Sequence, residues 1–87
     1  MEDTRKKIKE TLDELKQKRD ELRVRLSLAE MEASDEWKSI ERKLAKLEAK
    51  TKELGAASAE SAKEIGAAAR LLAEEVRDGF KNIARHF

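Results

Sequence analysis

Apolar side chains recur along this chain at spacings of three, four or seven residues, almost from one end to the other. The series runs Ile8, Leu12, Leu15, Leu22, Leu26, Ala29, Ala33, Trp37, Ile40, Leu44, Leu47 and Leu54. It continues through Ala62, Ile65, Ala69, Leu72, Val76, Phe80, Ile83 and Phe87. At roughly 100° per residue, the whole series stays within a stripe about 120° wide on a helix. Strands are disfavoured for a separate reason. Pro is absent, there are 3 Gly, and no β-branched run lies between turn signals. Ala, Leu, Glu, Lys and Arg supply most positions, and all are strong helix formers. The expected fold class is all-α.

The stripe has two textures. Residues 1–54 read as a charged, heptad-type coiled-coil arm, with an 11-residue step between Leu26 and Trp37. Residues 55–87 read as an Ala-rich amphipathic helix built on 11-residue repeats, the two forming a single structural unit. Leu54, Ile65, Val76 and Phe87 recur at that interval, and Gly-Ala-Ala recurs at 55 and 66. Eleven residues make three turns at about 3.67 residues per turn, which gives a nearly straight stripe. Gly55 either ends one helix, with Ser58 or Ser61 capping the next, or is a small residue inside a continuous one. Ser34-Asp35 is a second candidate start, set among strong helix formers.

These features predict an elongated coiled coil, formed by one long helix or by a helix bent near residues 55–61. A continuous helix would be about 130 Å long, and a bent one would have arms of about 75 and 45 Å. Neither buries a one-sided stripe alone, so assembly into a multi-helix homo-oligomer is expected. The expected self-association interface is Ile8, Leu12, Leu15, Leu22, Leu26, Trp37, Ile40, Leu44, Leu47, Leu54, Ile65, Leu72, Val76, Phe80 and Ile83. Val24, Leu28 and Met31 form a second row opposite Leu22, Leu26 and Ala29, and they predict a second packing face.

Charge sets the chemistry aside. Charged residues make up 45% of the chain, yet 20 Lys and Arg against 19 Asp and Glu leave a net charge of +1. No global field draws such a chain to nucleic acid. The basic cluster Arg5-Lys6-Lys7-Lys9 has acids around it and no aromatic platform, so it reads as a solvated face. Cys is absent, and His86 is the only His, so neither metal-binding nor nucleophilic constellations are expected. Carboxylate pairs such as Asp13-Glu14 and Glu74-Glu75 have ion-pair partners at helical spacing and no pocket formers beside them. The expectation is a non-enzyme without cofactor or metal. The acidic start and the lack of any long apolar run predict neither a signal peptide nor a membrane span, hence a cytoplasmic protein.

The C-terminal third carries a likeness. Leu54 through Gly55-Ala56-Ala57-Ser58-Ala59-Glu60, then Leu72-Ala73-Glu74-Glu75-Val76-Arg77-Asp78-Gly79-Phe80 and terminal Phe87, resembles small bacterial coiled-coil proteins described as apolipoprotein-like or uncharacterised. Family members usually carry Trp where this chain has Ala62 and Ala73. The resemblance implies a helical protein with no catalytic residues. Two functions are expected from the residues. The first is a self-associating interaction or scaffolding module, with a helical protein as possible partner. The alternative is a membrane-surface or stress-protective helix, with weak lipid contact through residues 62–87. Small residues and balanced charge over 55–69 favour protein packing over lipid.

Overall fold

Three helices, α1 (Glu2–Arg25), α2 (Asp35–Ala56) and α3 (Ala59–His86), occupy the computed structural model, which describes residues 2–25 and 34–86. Two of the helix boundaries have clear local causes. Ser34 has extended backbone, and its Oγ accepts a hydrogen bond from Trp37 N at 3.1 Å. Asp35 and Glu36 follow in the first turn, where the helix dipole favours negative charge.

The second boundary is a two-residue corner. Ala57 is extended, its N–H reaches Leu54 O, and Arg5 of α1 donates to Ala57 O at 3.1 Å. Ser58 then caps α3 by accepting from Ser61 N at 3.3 Å. Of the two serines predicted as caps, Ser58 takes the role. Gly55 lies inside α2, with no left-handed backbone.

The helices alternate in direction. Arg23 pairs with Glu41 and Lys16 with Glu48, so α1 and α2 are antiparallel. Trp37 meets Phe80 and Lys43 pairs with Glu75, so α2 and α3 are antiparallel as well. Gly66 lies beside Thr4 and Ile8, as the resulting parallel arrangement of α1 and α3 requires.

One core joins all three. Ile8, Leu12, Leu15 and Leu22 enter it from α1, and Trp37, Ile40, Leu44, Leu47 and Leu54 from α2. From α3 come Ala62, Ala69, Ala73, Val76, Phe80 and Ile83. On α2 the buried positions alternate steps of three and four until Leu47, the coiled-coil pattern. On α3, Ala62, Ala69, Val76 and Ile83 step by seven, as do Gly66, Ala73 and Phe80.

The expected elongated coil gives way to a short bundle. Its extents are 43 × 19 × 17 Å, little more than the length of the 28-residue α3. The chain turns back at 57–58, within the predicted bend, and α1 and α2 also run antiparallel. The energetic reason is a matter of scale. Adding a residue to a helix gains at most about 0.3 kcal/mol, whereas each large apolar side chain brought out of water contributes roughly 1.5–3 kcal/mol. Closing the stripe on itself therefore outweighs keeping one helix. The 11-residue repeat does not mark a continuous stripe, because Leu54 belongs to α2 while Ile65 and Val76 belong to α3.

Candidate functional site

Most of the residues expected to join separate chains lie inside this one. Ile8, Leu12, Leu15, Leu22, Trp37, Ile40, Leu44, Leu47, Leu54, Val76, Phe80 and Ile83 are buried, and Ile65 and Leu72 pack partly buried against them. A second copy is thus not needed to cover the stripe, which removes the reason for which assembly was expected. Of the second face, Val24 is 86% exposed. Leu26, Leu28 and Met31 lie outside the described residues. Ala62, Ala69 and Ala73, missing from the expected interface, belong to the core; small size makes them hard to tell from the other alanines.

The surface differs from seam to seam. Between α1 and α2, Arg23 Nη2 donates to Glu41 Oε1 at 2.8 Å while its guanidinium lies 5.8 Å from the Trp37 ring centre. Lys16 and Glu48 bridge the same seam at 3.2 Å. Between α2 and α3, Lys43 and Glu75 meet at 3.5 Å. Among the described residues no ion pair joins α1 to α3.

That third seam holds two open hollows. One, of about 390 Å³, is lined by Glu14, Leu15, Lys18, Arg77, Phe80, Lys81 and Ala84. The other, of about 340 Å³, is lined by Thr4, Ala62, Lys63, Gly66, Ala67 and Arg70. Glu14 is the one carboxylate among these residues, against cations on both helices. The α2–α3 seam has the reverse balance, with Glu36, Glu75 and Asp78 around Lys43. Periodicity produces this segregation. Lys63, Arg70 and Arg77 step by seven along one flank of α3, and Glu64, Leu71 and Asp78 step by seven along the next. At about 100° per residue, the two rows lie about 100° apart around the helix.

In chemical terms the site offers complementary charge and apolar contact. Among the described residues, no group of three or more His, Cys, Asp or Glu side chains has the spacing to hold a metal ion. No helix there is long and apolar enough to cross a membrane. The comparisons are equally spare: no protein-family model, curated protein or solved structure matches the chain. What stands is a small all-α protein with a compact three-helix bundle.

Proposed function

We propose that this protein is a non-enzymatic helical interaction module that self-associates and serves as a structural or scaffolding element. One observation carries the reading. Among the described residues, two large apolar side chains remain in solvent although the core is closed: Val24 is 86% exposed and Leu71 is 58% exposed. Neither contributes to folding in that state, and each gains from being covered by another chain. Val24 also heads the sequence row that continues to Leu28 and Met31. Kinship with the small bacterial coiled-coil proteins that the C-terminal third resembles, and a cytoplasmic setting, belong to the same proposal.

The competing reading is a membrane-surface or stress-protective helix using residues 62–87. It requires α3 to leave the bundle, because Val76, Phe80 and Ile83 lie in the core. Sedimentation velocity over a hundredfold dilution series, run alongside liposome co-sedimentation, tests the proposal. A mass and a melting midpoint that both rise with protein concentration are expected, with Val24→Lys lowering the mass and leaving helicity intact. A monomer at every concentration would sink self-association, and vesicle binding by that monomer would move the reading to the membrane surface.

A further inference from the structure

We infer that α3 carries both halves of a contact between two copies of this chain. The acidic outer row of one copy, Glu64, Leu71 and Asp78, lies against the basic α1–α3 seam of the other, edged by Lys63, Arg70 and Arg77. The inference rests on the self-association reading and adds, beside the α1 face of Val24, a second surface around Leu71. Charge complementarity is the first support. The seam has a surplus of cations, and Lys63, Arg70, Arg77 and Lys81 make no ion pair among the described residues. The α1–α2 and α2–α3 seams, by contrast, are crossed by internal pairs, and the α2–α3 seam has a surplus of acids that includes Asp78.

Register is the second support. Both rows repeat every seven residues, about 10.5 Å along the axis. Alignment of the two α3 helices in either direction therefore sets Glu64 and Asp78 opposite cations at Lys63 and Arg77. Leu71 falls at the middle of the acidic row, level with Arg70 and about one helical turn from Ala67. Its 58% exposure makes it, with Val24, one of two large apolar side chains left in water among the described residues. There it meets an aliphatic stem and a methyl group, since long basic side chains bury their stems while keeping the charge wet. A nucleic acid or a lipid surface would use the basic row alone and leave the matched acidic row without a role. A second copy uses both.

The test is charge exchange, read by sedimentation velocity at low and high salt. All four altered positions are exposed, so the fold is expected to survive, and circular dichroism melting checks this. Arg70→Glu with Arg77→Glu should weaken association by about tenfold or more, and Glu64→Lys with Asp78→Lys should do the same. A one-to-one mixture of these two variants should associate again, and so should the chain that carries all four changes. Loss in each variant with recovery in the mixture establishes the contact. Wild-type association that persists unchanged in both variants overturns the inference while leaving self-association in place, and absence of recovery in the mixture also overturns it. A wild type that stays monomeric removes the self-association reading and the inference together. Binding of the basic row to phosphatidylglycerol vesicles without self-association assigns the seam to lipid and overturns the inference.

Discussion

Replacing Gly79 by Ala tests how closely α2 and α3 approach. Propensity alone favours the change, because Ala in a helix interior is better than Gly by about 1 kcal/mol. The structure opposes it. A Cβ at position 79 would stand 2.7 Å from Ile40 Cγ1 and 2.8 Å from Ile40 Cδ1, well inside the roughly 3.5–4.0 Å at which carbon atoms attract. Ile40 is 3% exposed, so it has little room to yield. Overpacking of this kind costs about 1–3 kcal/mol. The net change is then a loss of between about 0 and 2 kcal/mol, or a fall in Tm of up to roughly 8–16 °C for a chain of this size.

The other two glycines serve as controls. Gly66→Ala would place its methyl 3.6 Å from Thr4 Cγ2 and 3.8 Å from Ile8 Cδ1, an ordinary contact, so it should stabilise by about 1 kcal/mol. Gly55→Ala meets nothing within 4 Å and lies in the last turn of α2, so its gain should be smaller. Thermal melting by circular dichroism at fixed concentration ranks all three. The Ile40→Ala background should convert Gly79→Ala from harmful to neutral or favourable, a coupling that reports the contact directly. If Gly79→Ala stabilises as much as Gly66→Ala does, Ile40 does not rest on Gly79 and the α2–α3 register is wrong.

Two further outcomes follow from the same core. Phe80→Ala should cost about 3–5 kcal/mol, since the ring is buried beside Trp37 at 6.1 Å between centroids. The emission of Trp37 should move to longer wavelength as water enters, and an unchanged spectrum would contradict that contact. Ser34→Ala removes the acceptor for Trp37 N and should cost about 0.5–2 kcal/mol in a denaturant titration, while Ser39→Ala should change little.

Much of this bundle was legible in the sequence, and the illegible parts have physical causes. Helix class and nearly all of the core followed from the stripe, because burial on one helical face leaves a period that composition cannot mask. The number of helices did not. Ser34-Asp35 is a good start signal, but local propensity around it favours helix on both sides, and only the energy of the closed core decides. The step of seven on α3 is faint in the sequence because Gly66, Ala62, Ala69 and Ala73 are small, while the bulkier Leu54, Ile65 and Val76 mark a step of eleven. By propensity alone, Gly79 is a weak point in a helix interior. It is instead the place where Ile40 seats. The basic and acidic rows of α3 are visible as sequence spacings, but which row borders α1 depends on how the three helices pack around one another.

The central claim is that one chain closes its own core, and small-angle X-ray scattering extrapolated to zero concentration tests it most directly. The folded bundle has a Cα radius of gyration of 13.9 Å. A single helix about 130 Å long would give about 37 Å, its length divided by the square root of twelve. The account predicts a value close to that of the bundle, with a molecular mass near 9.9 kDa in the same dilute limit. A radius above about 25 Å for the monomeric chain would contradict it, since no packing of helices this short reaches that size.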